Sequence, residues 1–302
     1  MREMGRSPHE SPAWTRLAMP GLAAMLAAMV PGITPGTVLP AQAEAGVHRQ
    51  LRGIPPMAGD VTPVVESLRE GLVVVHPDGT QVWMDAVRGK GIPDTPGGAD
   101  TRSGPTSACS DSAYALYSNE WVDTLEWWFN SQSTPDGIDV ESAKSALRDA
   151  ATVVTHATND CGLSDKISNT AAYQGTTSTS VNINSNSTCS NGDGKSVVGF
   201  GNLASSTLAM ACWWTNSKGH TTEADIRFNK EEYNWTVSVP TGCTNKFVIK
   251  AVATHEFGHA YGLAHVSEPA HGSLTMSTLI MACQKSEATL GLGDLRGFEA
   301  KY

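Results

Sequence analysis

The chain has 302 residues, enough for one large domain or two small ones. Hydrophobic residues make up 40% and charged residues 17%, which excludes an intrinsically disordered chain. Net charge is −9 and no run of Lys or Arg marks a nucleic-acid or anionic-membrane partner, so the acidity reads as solubility.

The first feature in chain order is an export signal. Arg2, Arg6 and Arg16 precede the apolar run 22–30, and Ala41-Gln42-Ala43 is a small-x-small cleavage site. Pro20, Gly21, Pro31 and Gly32 bracket the run, which is too short to span hydrocarbon. Residues 1–43 therefore read as a signal peptide, and the chain as secreted with no membrane anchor once the signal is removed.

Residues 44–106 hold no cysteine and end in 91–106, rich in Gly, Pro and Asp like a linker. Residues 72–75 and 81–84 flank Pro77-Asp78-Gly79 and predict a small hairpin. The region is either a pro-segment or an N-terminal extension, ahead of a main domain at 107–302.

Within 120–130, Trp121, Val122, Leu125, Trp127, Trp128 and Phe129 predict a mostly buried strand. Residues 139–157 place Ala143, Ala146, Leu147, Ala150, Val153, Val154 and Ala157 at helical spacing. His156 near the end of that helix suits its dipole and is read as structural. Residues 166–212 are rich in Ser, Thr, Asn and Gly and read as short strands and loops. Asp193, in Asn191-Gly192-Asp193-Gly194, is read as a turn residue, with Ca²⁺ ligation as the alternative. Residues 222–228 alternate, with Ala224, Ile226 and Phe228 on one face, which predicts a half-buried strand.

Six cysteines lie at 109, 161, 189, 212, 243 and 283. An even count in an exported chain favours disulfides. The spacing does not choose among the pairings; neighbour pairing is expected, Cys109–Cys161, Cys189–Cys212 and Cys243–Cys283. A cysteine-rich metal site is disfavoured because no C-x-x-C spacing occurs.

Residues 245–261 predict a helix carrying the chain's most specific signal. His255, Glu256, His259, Gly262 and His265 spell H-E-x-x-H-x-x-G-x-x-H. Positions i and i+4 lie one above the other on a helix, so His255 and His259 can aim at one point. Glycine at 262 permits a sharp turn that returns His265 as a third ligand. Three neutral imidazoles suit Zn²⁺ with a fourth position left for water. Glu256 sits beside the first ligand, where a carboxylate can take a proton from that water and pass it to a leaving amine. A lone histidine here would read as a satisfied core residue. Three histidines, a glutamate and a glycine in this register do not.

The stretch resembles the active-site motif of the metzincin zinc peptidases, and His-Glu-Phe-Gly-His-Ala-Tyr-Gly-Leu-Ala-His is most similar to the matrixin branch. The likeness extends over residues 115–302. It implies an α/β fold: a twisted, mostly parallel sheet, an active-site helix below it and a small C-terminal subdomain. Leu208, Ala209, Met210 and Ala211 resemble the edge strand along which matrixins lay an extended substrate. Met276 is the expected methionine turn beneath the metal, with Met281 as fallback. Asp225 stands where vertebrate matrixins place a histidine of a second zinc, so one catalytic zinc is expected, and Ca²⁺ is left open. The closing stretch 290–302 resembles the family's terminal helix, with Asp294 as its N-cap. Matrixin pro-segments often block zinc with a cysteine, and none exists in 44–106; His48 and His76 are the candidates in its place, with a lone surface histidine the preferred reading of each.

The resemblance thus implies a secreted, monomeric zinc endopeptidase acting on protein or peptide substrates, with Glu256 as general base and acid. The competing readings are a metal-retaining adhesion module and a zinc hydrolase of non-peptide amides.

Overall fold

The two apolar stretches around Asp78 form the expected hairpin: β1 (Gly71–Val75) pairs antiparallel with β2 (Gln81–Lys90). Asp78 closes the turn by accepting the Thr80 N–H at 3.0 Å. This is a computed structural model, and it describes residues 71–76, 78–90, 108–268 and 270–302. The signal segment, His48 and the linker 91–106 lie outside the described residues. All described residues belong to one unit, Pro63–Tyr302.

After the short β3 (Ala115–Leu116), the tryptophan-rich stretch becomes β4 (Leu125–Phe129), shorter than expected. Trp121 is nevertheless buried, because its indole N–H donates to the Ala260 carbonyl at 2.8 Å. The helix α1 (Val140–Thr155) starts where Asp139 accepts the Ser142 N–H, an N-cap. Its alanine, leucine and valine stripe is buried, and His156 is its C-cap.

Four more strands follow: β5 (Ala171–Thr176), β6 (Ser196–Gly201), β7 (Thr207–Thr215) and β8 (Thr221–Asn229). Then come β9 (Asn234–Thr236) and β10 (Lys246–Val248), paired parallel, and the central helix α2 (Ile249–Ala260). Residues 246–248, expected to open the helix, are this strand. The chain closes with β11 (Leu263–Ala264), β12 (Leu279–Met281) and α3 (Leu292–Lys301).

The main sheet runs β1-β2-β7-β8-β6-β4-β5, with β12 pairing the far end of β2. β5, β4, β6 and β8 are mutually parallel, and β7 opposes β8. This is the α/β architecture expected. One face packs on α1 and α2 through a core that includes Trp127, Phe129, Ile226, Phe228, Val252 and Phe257. The opposite face is covered by the loops on either side of β6, where Val181, Ile183 and Leu203 meet Met84, Ala86, Val197 and Met210 of the sheet. β8 is therefore buried on both faces rather than one, and Glu223 and Asp225 are buried with it.

The three disulfides pair neighbours, as expected: Cys109–Cys161, Cys189–Cys212 and Cys243–Cys283. The last closes a 40-residue separation that contains α2 and His265. Replacing both cysteines with serine is expected to cost about 4 kcal/mol, from the loop-closure entropy returned to the unfolded chain. Urea unfolding checks this; an unchanged midpoint would show that the β10–α2 region is held without the bridge.

Candidate metal centre

The helix α2 has no polar face, since every residue in it except Lys250 is buried. A helix apolar all round belongs inside a protein, so His255, Glu256 and His259 enter the interior with it. The chain then turns at Gly262, whose φ of +86° lies in the left-handed region. A Cβ at 262 would also stand 2.9 Å from the Asn119 carbonyl oxygen. The turn carries His265 back toward the helix.

The three imidazoles converge on one point. The Nε2 atoms of His255 and His259 are 2.9 Å apart, those of His255 and His265 3.0 Å, and those of His259 and His265 3.2 Å. Tetrahedral zinc with bonds of about 2.0–2.1 Å would hold its ligand atoms about 3.3 Å apart. The outer nitrogens of the two helical histidines fix their tautomers. His255 Nδ1 donates to the Thr275 carbonyl at 2.6 Å and His259 Nδ1 to the Leu263 carbonyl at 2.9 Å. His265 Nδ1 lies 3.2 Å from Asp85 Oδ1. The Nε2 atoms of His255 and His259 are thereby left as lone pairs that face each other and His265 Nε2, an arrangement that a cation resolves. Burial, and then the neighbouring imidazoles, push His255 and His259 well below the usual histidine range, so both are neutral ligands. The residues present therefore fit zinc.

Glu256 is fully buried, and neither carboxylate oxygen has a hydrogen-bond partner among the described residues. Burial, and secondarily the charge of Asp85, raise its carboxyl well above the usual range. It is thus a desolvated acid one residue after His255, in an environment that shifts its affinity for a proton.

Met276 is buried against Gly258 of α2. A Cβ on Gly258, between the two helical histidines, would stand 2.4 Å from its sulfur. Met281 lies instead on β12, paired with Lys90.

Sequence reading missed two groups that support the ligands. Asp294 is not the N-cap of α3; Gly291 is, and Asp294 sits three residues on. Its buried carboxylate accepts the Gly291 N–H at 2.8 Å, the Thr275 N–H at 2.9 Å and the Met276 N–H at 3.1 Å. It thus fixes the carbonyl that orients His255. The Asp294→Ala protein is expected to bind zinc about 10- to 100-fold more weakly, as loss of an outer support does. Competition against a zinc-binding dye measures this, and unchanged affinity would show that the 275–276 turn stands unaided. The second group is Asp85 on β2. It is fully buried, lies 3.3 Å from His259 Nδ1 and accepts the Tyr117 hydroxyl at 2.5 Å. A lone acid inside the apolar run 82–87 was the available signal. His76, the alternative considered, is exposed in the β1–β2 turn.

Leu208, Ala209, Met210 and Ala211 do lie on one strand, β7, but its outer edge is not open. β2 pairs along it, with Asp85 opposite Ala211, Ala86 opposite Met210 and Val87 opposite Ala209. The N-terminal hairpin, which the local pattern gives no partner, supplies this cover.

Asp225 accepts two main-chain amides, Val197 N–H at 2.6 Å and Asn182 N–H, tying the covering loop to β8. Asp193 accepts the Lys195 N–H at 3.0 Å, as a turn residue does.

No curated protein matches this chain. The matrixin family model matches residues 120–302. That span runs from before β4 to the end of α3 and holds the three histidines, Glu256 and Met276, and the chain belongs to the matrixin family of zinc metallopeptidases.

Proposed function

We propose that the chain is a secreted zinc-dependent endopeptidase that cleaves peptide bonds in protein or peptide substrates. The observation that carries this reading is the convergence of three Nε2 atoms, two of them from a helix that also carries the buried Glu256 carboxyl, which has no hydrogen-bond partner among the described residues. His255, His259 and His265 would hold the zinc. Bound there, zinc supplies Lewis acidity, polarising a carbonyl and making water easier to deprotonate. Glu256 takes the proton of the attacking water on a carboxylate oxygen and delivers it to the departing amine nitrogen. Thr275, Leu263 and Asp85 hold the rings by their outer nitrogens, and Met276 packs beneath them as the methionine turn. The three disulfides, together with the sequence signal at 1–43, support export to an oxidising compartment. Among the described residues no helix is long and apolar enough to cross a membrane.

A fluorogenic peptide library, assayed with and without a chelator, tests the reading. Hydrolysis that disappears on chelation and returns with zinc is expected. Hydrolysis indifferent to chelation would exclude the zinc mechanism, and zinc binding with no hydrolysis in any processed form would return the adhesion reading.

A further inference from the structure

The chain between the second and third histidines turns on one glycine. The positive φ of Gly262 permits this turn, but glycine permits many others as well. Something outside the segment has to select the one that is seen. The last carbonyls of a helix find no partner within it. Here the carbonyls of residues 260–262 are each taken by a donor distant in sequence. Ala260 accepts the Trp121 indole N–H at 2.8 Å. Tyr261 accepts the Tyr302 hydroxyl at 3.0 Å, and Gly262 accepts the Tyr117 N–H at 2.9 Å. The chain then pairs with β3, Leu263 opposite Leu116 and Ala264 opposite Ala115, and arrives at His265.

Two residues at the end of α3 join these bonds into one frame. The Tyr302 hydroxyl accepts the Trp121 main-chain N–H at 3.1 Å while it donates to Tyr261. It therefore ties the turn to the residue whose indole holds Ala260. The rings of Tyr261 and Tyr302 also meet edge to face, with centroids 6.0 Å apart. Lys301 Nζ donates to the Tyr117 carbonyl at 2.9 Å, on the residue whose N–H holds Gly262. Its stem lies over the glycine. A Cβ at 262 would collide with Lys301 Cε and stand 2.9 Å from Nζ. Lys301 thus fills the space that the missing side chain leaves.

We infer that Lys301 and Tyr302 are positioning residues of the metal site: they fix the 260–262 turn, and with it the direction from which His265 meets the metal. This rests on the assignment of zinc to the three histidines, and not on the endopeptidase reading. Tyr261 is fully buried, so without the Tyr302 hydroxyl its carbonyl is left inside the protein with no donor, a costly state. The peptide group between 261 and 262 rotates to relieve it, and the freedom of glycine lets it do so. His265 is then no longer held in place before the metal arrives. Zinc has to order the turn as it binds, and that ordering is subtracted from its affinity.

The test uses the full chain carrying Tyr302→Phe, which deletes one oxygen and keeps the ring. Competition against a zinc-binding dye is expected to show affinity weaker by about 10-fold, the lower end of what loss of an outer support costs. With cobalt in place of zinc, the visible bands of the metal shift, because a displaced third nitrogen changes the ligand field. Lys301→Met keeps the stem, removes the ammonium and changes affinity and bands in the same direction. Thr155→Val is the comparison. The buried Thr155 hydroxyl donates to the Ala151 carbonyl at 2.9 Å in α1, away from the turn. That variant lowers the urea midpoint of the metal-free protein and leaves affinity and bands as they are in the parent. Parent affinity and bands in both Tyr302→Phe and Lys301→Met would overturn the proposal, since the turn would then stand unaided. An equal change in Thr155→Val would also overturn it, by making the effect one of general stability. Should Tyr302→Phe fail to fold, Lys301→Met decides. A parent that binds neither zinc nor cobalt would overturn the zinc assignment itself, and the positioning role with it.

Discussion

Replacing Glu256 with alanine is expected to lower peptide hydrolysis by about 10²–10⁴, the usual worth of a general base or acid, with one zinc still bound per chain. The expectation follows from where the residue sits. α2 fixes its backbone one position after the first ligand. Its carboxylate has no partner among the described residues, so the substitution breaks no hydrogen bond. It also removes a buried acid, whose desolvation opposes folding. Glu256→Ala should therefore fold at least as well as the parent. Activity and stability part company, which separates a chemical role from a structural one. The measurement is kcat/KM on a fluorogenic peptide beside metal analysis and thermal unfolding of the same sample. A variant as active as the parent would remove Glu256 from the mechanism. A variant that loses zinc with its activity would make the residue a support of the ligands.

Replacing His265 with alanine is expected to abolish tight zinc binding and, with it, the zinc-dependent part of the stability. His265 is the ligand supplied by the turn and not by the helix. Without it, two imidazoles remain in a space built for three. A ligand that binds only the folded chain stabilises it by about 4 kcal/mol when present at 1,000 times its dissociation constant. The parent should unfold at a markedly lower temperature after chelation. The His265→Ala protein should show one transition that neither chelator nor zinc moves. If zinc raised the variant's midpoint as much as the parent's, the metal would be bound elsewhere.

The two substitutions touch the part of the chain that was most legible in sequence. His255, Glu256 and His259 lie within one helical turn, and Gly262 and His265 follow at once. Their geometry is set by local periodicity and one glycine, which a sequence displays directly. The disulfides were legible for a similar reason, since each joins cysteines adjacent in order.

What stayed hidden depends on contacts distant in sequence. The hairpin pattern announces a strand at 81–84 but not its outer partner, and β7 lies more than a hundred residues on. Asp85 lies one residue past the predicted strand 81–84 and is a neighbour of the histidines only through that pairing. Asp294 showed the chemistry of a helix start, and it does accept the Gly291 N–H. The same carboxylate also takes the Thr275 and Met276 amides, a role that only the packing of α3 against the 275–276 turn reveals. Asp225 was noted as a departure from a second zinc site. That its oxygens would take the amides of Val197 and Asn182 could not be read from an alternating pattern, which predicts a face but not what covers it.

The family match and the histidine geometry both lead to a single metal held by this chain. X-ray diffraction from crystals of the purified protein, collected on either side of the zinc absorption edge, tests that most directly. One anomalous peak, about 2.0–2.1 Å from each of the three Nε2 atoms of His255, His259 and His265, with the Glu256 carboxylate turned toward its open side, is the expected result. Protein prepared with zinc that shows no peak there, or whose peak lies on other side chains, would contradict the account.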